Sequence, residues 1–259
     1  MKKPVLTYYN IAPDVTAFST TRHGGYGFGK YGEMNINTFC GDDEDTIKRN
    51  REALCTELGI ETDRLIMPHQ THGTEIMQIA DDFLSLPSPI QKMILEGIDA
   101  LITDIKGICI GVSTADCIPI ILYDTEHHAT AVVHAGWRGT VKRIVCKAIY
   151  AMHLSYKSKP SNLIAVIGPG ISLKAFEVGD EVYEQFASEG FDMNTISERK
   201  TKWHIDLKEC NRQQIISSGI LESNVSTLDI CTYNNVEDYF SARRLGIDSG
   251  RIYTGIIIR

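Results

Sequence analysis

Two apolar runs, IPIILY (118–123) and TAVVH (130–134), stand either side of a short polar segment, DTEHHA (124–129). Ile- and Val-rich runs of this length read as strands, and two of them joined by a few polar residues read as an antiparallel hairpin. With its turn centred near Glu126, paired residues have numbers summing to roughly 252. Cys117 then falls about one residue from direct opposition to His134. Facing residues in such a ladder hold their Cβ atoms ~5 Å apart. A thiol and an imidazole at that spacing can share a metal ion or act as nucleophile and base. The plainer alternatives are an inert core cysteine and a hydrogen-bonded structural histidine. The small residues Ala115, Ala135, Gly136 and Gly139 favour the functional reading, because they let another backbone or a ligand come close.

The same reasoning places further short strands at 16–21, 64–68, 75–80, 100–103, 109–113, 163–167, 225–228 and 251–258. A helix is predicted over 43–58, with Ile47, Leu54, Cys55 and Leu58 on one side, Asp42 or Asp43 as cap, and Gly59 closing it. The clearest amphipathic stripe lies over 140–156, where Val141, Ile144, Val145, Ala148, Ile149 and Met152 follow the helical period. Other helices are expected over 206–218 and 179–188. The segment 83–97, with its two prolines, reads as an inserted loop carrying a short helical piece. There are too few helices to cross over between each successive strand pair. The expected fold class is therefore α+β, with mixed or antiparallel sheets, and the chain reads as one domain over 1–259.

The net charge of −7 repels phosphate backbones at long range, and the Lys and Arg residues form no run, so nucleic-acid binding is not expected. The seven cysteines are odd in number and contain no CxxC, which points to a reducing compartment and a cytoplasmic protein. The opening MKKPVLTYYN lacks the apolar stretch of a secretory signal, and no stretch approaches the ~20 apolar residues of a membrane helix.

A metal held by Cys117 and His134 needs a third ligand. The stretch His69-Gln70-Thr71-His72-Gly73 lies between two predicted strands and offers His72 or His69; the residues themselves leave that choice open. One thiolate and two imidazoles, with a fourth position free, make the pattern of a catalytic zinc. Copper takes the same donors and is the alternative in that site.

QTHG (70–73), TADCIPI (114–120), HAGWRGT (134–140), IGPGIS (167–172), AFEVG (175–179), CTY (231–233) and FSARR (240–244) together resemble the YfiH family. So do TRHGG (21–25), NIN (35–37) and CGDDED (40–45), and the blocks run in family order over nearly the whole chain. The resemblance implies a sandwich of mixed sheets flanked by helices. It implies metal ligation by His72, Cys117 and His134. It also implies phosphorolysis of adenosine, inosine and methylthioadenosine together with adenosine deamination; the family has been called a laccase or polyphenol oxidase, and is associated with peptidoglycan editing. The partners implied are purine nucleosides and phosphate, in a monomer or weak homodimer. Many members read FSYRRD where this chain has FSARRL (240–245), so Ala242 and Leu245 replace an aromatic and an acid.

Deamination calls for a general acid/base beside the metal, and Asp116 and Glu177 are the candidates. Strand alternation turns Asp116 away from Cys117 unless a bulge intervenes, which Pro119 favours. Phosphorolysis calls for an oxyanion holder, a task suited to the planar fork of arginine. Arg22, beside Gly24 and Gly25, is one candidate; Arg138, Arg243 and Arg244 are the others, and Asn37 is a further candidate for the substrate or phosphate site. Three rival readings stand beside this one. A multicopper oxidase relies on several His-x-His pairs, and this chain has none among its eight histidines. A metal-free hydrolase would use Cys117 as nucleophile and His134 as base. A non-enzymatic binding module would hold a metal or nucleoside without turnover.

Overall fold

Strands with both faces buried read as continuous apolar runs, and the molecule is built around two sheets made of such strands. The computed structural model describes residues 2–259. A six-stranded sheet has the order Val225–Thr227, Leu163–Ile167, Ile118–Asp124, Thr130–Ala135, Ala100–Thr103, Ile76–Gln78. A five-stranded sheet has the order Leu6–Tyr9, Val15–Thr20, Ile252–Ile258, Cys109–Thr114, Leu65–Ile66. Most neighbours are antiparallel, and three pairs are parallel. The expected α+β class with mixed sheets in a sandwich flanked by helices is what the structure has.

Side-chain alternation sorts the core into layers. Ile121, Tyr123, Val132 and Leu101 of the six-stranded sheet meet Ala17, Ile110, Val112 and Ile256 of the other sheet. On the opposite face Ile118, Ile120, Leu122, Ala131 and Val133 pack against Ile144, Val145, Ala148 and Met152 of the helix Ile144–Tyr156 and against Ile215 of the helix Leu207–Ser217. Phe18, Cys109, Tyr253 and Ile257 on the far face of the five-stranded sheet cover Leu54, Cys55 and Leu58 of the helix Glu44–Leu58. Each fully buried Ile or Leu in these layers contributes roughly 1.5–3 kcal/mol from burial.

The helix Glu44–Leu58 starts where Asp43 accepts a hydrogen bond from the Thr46 N–H and ends at Gly59 in the left-handed region (φ 65°). The stripe predicted as one helix over 140–156 is instead two, Trp137–Val141 and Ile144–Tyr156, because Arg143 takes a left-handed backbone (φ 59°) between them. Its guanidinium caps the Glu189 carbonyl and lies over Phe191, which holds the break in place. The 83–97 segment carries two short helices, Asp81–Ser85 and Ser88–Ile94. The strand Leu6–Tyr9 and a small sheet of Glu177–Val178, Trp203–Ile205 and Ser197–Arg199 were not foreseen. Among the described residues no helix is long and apolar enough to cross a membrane.

The hairpin register differs by one from expectation. Ile118 faces Ala135 and Pro119 faces His134, so partner numbers sum to 253. Cys117 therefore precedes the first paired residue of its strand instead of lying one position from His134. The extra residue in the connection comes from the turn, where the Asp124 carboxylate accepts the Glu126 and His127 N–H groups and His128 takes φ 52°.

Candidate metal centre

The chain passes from the five-stranded to the six-stranded sheet twice, and each crossing delivers one donor. The first crossing runs from Leu65–Ile66 to Ile76–Gln78 and carries His72; the second runs from Cys109–Thr114 to Ile118–Asp124 and carries Cys117. Both crossings lie at the edge where the strand Thr130–Ala135 ends, next to His134. Each turn is sharp: His72 has φ 61° and Asp116 has φ 89°, backbone that L-residues adopt only where the surroundings impose it. The irregularity that Pro119 suggested is thus at Asp116, and it swings the Cys117 side chain towards His134.

The donor atoms of His72, Cys117 and His134 all lie within 4.8 Å of one another. The His72 and His134 rings meet edge-on, with centroids 4.8 Å apart. Tetrahedral coordination at 2.0–2.3 Å separates ligand atoms by about 3.3–3.8 Å, so small rotations close this set on one ion. A methyl group built on Gly136 would approach His72 Cδ2 to 3.0 Å, Cys117 Sγ to 3.2 Å and His134 Nε2 to 3.8 Å. Glycine there keeps the space between the three donors free. The donor set and the space both fit a divalent ion that accepts nitrogen and sulfur.

Asp99 organises two of the three donors, and nothing in the sequence reading singled it out. Its Oδ1 accepts the His134 Nδ1–H at 2.7 Å and the His72 N–H at 3.0 Å. Its Oδ2 accepts the Gly73 N–H at 2.7 Å and the Thr71 N–H at 3.3 Å. Its backbone carbonyl takes the His134 N–H at 2.8 Å. With Nδ1 committed to a carboxylate, the His134 Nε2 lone pair is turned towards the sulfur and the second imidazole. The one available signal was a carboxylate set between Ile98 and Ala100, directly ahead of a buried strand; a fully buried acid requires partners.

The electrostatics follow from this geometry. Burial alone would raise the Cys117 thiol, but the charge and hydrogen bonds of His134 and His72 bring it below its ordinary value. Burial alone would lower His134, but the Cys117 thiolate and Asp99 raise it. Asp99 itself stays low against burial because of His134 and the Gly73 and Thr71 N–H groups. Both shifts run in the direction of a thiolate beside a protonated imidazole, and a cation binding these donors displaces the imidazole proton.

The donors open into a cavity of about 150 Å³ whose wall also includes Asn37, Phe39, Cys40, His69, Thr114, Ala242, Ile247 and Arg251. A wider groove of about 700 Å³ beside Glu52, Arg64 and Arg259 shares no residue with it and contains none of the three donors. His69, the alternative ligand, stands back from the group: its Nδ1 pairs with Glu96 at 2.7 Å and its ring stacks on Phe39 at 3.9 Å. Asn37 lines the cavity while its Oδ1 accepts the Phe39 N–H.

The candidate acids and arginines sit otherwise. Both Asp116 oxygens are occupied, by the Thr232 hydroxyl and the Arg243 N–H, each at 2.7 Å, so this carboxylate clamps the crossing. Glu177 lies outside the cavity wall and is paired with Lys202 at 3.0 Å, which holds its carboxyl below the usual range. Arg22 gives its guanidinium to the carbonyls of Gly32, Val236 and Gly29 and lies over Phe240. Arg243 donates to the Glu177 carbonyl, and Arg138 and Arg244 lie over Trp137 and Tyr233. None of these four arginines is in the cavity wall; Arg251, which was not foreseen, is.

A sandwich whose two sheet crossings bring Cys and His beside a second His, over a small cavity, carries a group of three donors that could hold a metal ion. The chain matches the family described as multi-copper polyphenol oxidoreductase laccase over residues 16–259, and it belongs to that family, the YfiH family. It is 44% identical to a purine nucleoside phosphorylase of Bacteroides thetaiotaomicron, over 99% of this chain and 97% of that one. It is 42% identical to adenosine deaminase RL5 of an unknown prokaryotic organism, over 97% of each chain. The crystal structure of Bacillus licheniformis YfiH superposes with a TM-score of 0.88 at 26% identity, covering 97% of this chain and 99% of that one.

Proposed function

We propose that this chain is a metal-dependent purine nucleoside enzyme that phosphorolyses purine nucleosides to base and ribose 1-phosphate and deaminates adenosine. Its ion is zinc, held by His72, Cys117 and His134. The observation that carries the reading is the convergence of one thiolate and two imidazoles around the space kept by Gly136. The names of relatives above 40% identity supply the substrate class. Bound zinc supplies Lewis acidity, which makes a water acidic at neutral pH.

The protein's own residues do the rest. Asp99 keeps a proton on His134 Nδ1 and so commits Nε2 to the site. Small-molecule pockets usually enclose about 300–1,000 Å³, more than this cavity holds, so it encloses a nucleoside only in part, with Phe39 in its wall. Phe39, 51% exposed and already stacked on His69, offers a flat apolar face to a purine. Replacing Phe39 with Ala is expected to raise nucleoside KM at least about fivefold, the lower end of base–aromatic stacking; an unaltered KM removes Phe39 from the base site. The family description favours copper as the second metal. One three-donor group is found among the described residues, which suits a single ion.

The overall test is product analysis. Metal-analysed protein is incubated with inosine and adenosine, with and without phosphate. Phosphate-dependent release of base with ribose 1-phosphate, and inosine from adenosine, are expected. Oxygen uptake with a phenol in proportion to bound copper, and no nucleoside turnover, would overturn the proposal.

A further inference from the structure

We propose that Arg251 forms an oxyanion subsite in the cavity wall and holds the hydrogen phosphate whose oxygen bonds to ribose C1′ as the C1′–N bond breaks, the base leaving with the phosphate's proton. The inference rests on the phosphorylase reading above and names the residue that its second substrate meets. Three observations lead to it. First, Arg251 is the one Lys or Arg among the residues lining the cavity that contains Cys117 and His134, and no Asp or Glu lines it. With a divalent ion outweighing the Cys117 thiolate, a cavity with one arginine and no carboxylate in its wall favours an anion. Second, Arg251 makes no ion pair among the described residues. Third, its guanidinium is aimed by carbonyls that leave part of it free. Nη1 donates to the Ser249 and Gly250 carbonyls and Nη2 to the Ile247 carbonyl. Among the described residues the Nε–H and one Nη2–H have no protein partner, out of five donors in a rigid planar fork.

The backbone on either side fixes the residue as firmly as its side chain. The Arg251 N–H donates to Asn35 Oδ1, which also accepts the Asn37 N–H, and the Gly250 N–H donates to the Lys30 carbonyl. A guanidinium held this way loses little freedom when an oxyanion arrives, and its remaining donors suit two phosphate oxygens. Lysine at this position would keep the charge and lose the fork.

The test uses the full chain with its metal content measured, and inorganic phosphate as probe. Arg251→Lys and Arg251→Gln are compared with the parent in phosphate KM for inosine phosphorolysis, and in kcat/KM for adenosine deamination in phosphate-free buffer. Phosphate KM is expected to rise at least tenfold in Arg251→Lys and further in Arg251→Gln, with deamination falling by a much smaller factor. A phosphate KM within twofold of the parent overturns the proposal. So does a matching fall in both reactions, which would mark Arg251 as a loop anchor. If the parent turns over neither substrate, the functional reading fails, and phosphate titration of the thermal unfolding midpoint judges Arg251 separately. Stabilisation by phosphate in the parent that is lost in both variants supports the subsite; equal stabilisation of all three proteins, or none of the parent, removes it.

Discussion

Asp99→Asn keeps the shape of the side chain and removes its charge and one of its acceptor atoms. In the parent each carboxylate oxygen serves two donors: Oδ1 takes His134 Nδ1–H and His72 N–H, and Oδ2 takes Gly73 N–H and Thr71 N–H. Asparagine has one acceptor oxygen and one NH2 group. Whichever way it is turned, the NH2 faces a pair of N–H donors. Turned one way it releases the His134 tautomer; turned the other it loosens the loop that places His72. A hydrogen bond to a charged group contributes about 1.5–3 kcal/mol. Loss of such an orienting partner typically lowers metal affinity by about 10–100-fold, equivalent to roughly 1.4–2.7 kcal/mol. The assay is zinc titration against a competing chelator, run alongside thermal unfolding of the metal-free protein. The expected result is an affinity loss within that range with the fold retained. An Asp99→Asn protein that binds zinc within twofold of the parent would refute the argument that the carboxylate positions the ligands.

Gly136→Ala is compatible with its backbone, which has φ −69°, but its methyl group would press on His72 Cδ2 and Cys117 Sγ. Zinc affinity is expected to fall about tenfold or more with little change in unfolding midpoint, measured by the same titration; unchanged affinity would show that the space is not the ion's. The buried Asp124 carboxylate is pushed up by burial and brought below its ordinary value by the hydrogen bonds it accepts, including those from the Glu126 and His127 N–H groups. Its folded pKa is depressed, so its stabilisation is fully present above the unfolded value near ~3.9 and is lost as pH falls through the lower folded value. Asp124→Asn should therefore be less stable than the parent at neutral pH, with the gap narrowing below about pH 4 in denaturant titrations. A gap independent of pH would contradict this.

The sheet strands and two of the three donors, Cys117 and His134, were legible in particular residues, while His72 was chosen over His69 by the family resemblance. The strands Ile118–Asp124 and Thr130–Ala135 could be read as apolar runs because both their faces are buried, so nearly every position carries an apolar signal. The break at Arg143 could not, because the stripe from Val141 to Met152 continues through it and only tertiary contacts to Glu189 and Phe191 impose the left-handed turn. Strands of two or three residues such as Glu177–Val178 are too short to show any period. The approach of Cys117 to His134 was foreseen from a hairpin whose register was one short; it is the turn at Asp116, and not ladder opposition, that brings them together. Asp99 escaped because its partners lie 26–35 positions away, and Arg251 because its backbone is anchored on Asn35, 216 positions away, in a cavity wall assembled from distant segments that no local pattern marks. Arg22 drew notice for its neighbouring glycines, yet it lies outside the cavity wall, with its guanidinium donating to carbonyls of its own loop and of Val236.

X-ray absorption at the zinc edge, on protein loaded with one equivalent of zinc, bears most directly on whether His72, Cys117 and His134 hold one ion together. The expected spectrum has a single sulfur at about 2.3 Å and two imidazole nitrogens at about 2.0–2.1 Å, with the sulfur contribution lost in Cys117→Ser. A first shell of nitrogen and oxygen alone, or a sulfur contribution that survives Cys117→Ser, would contradict it.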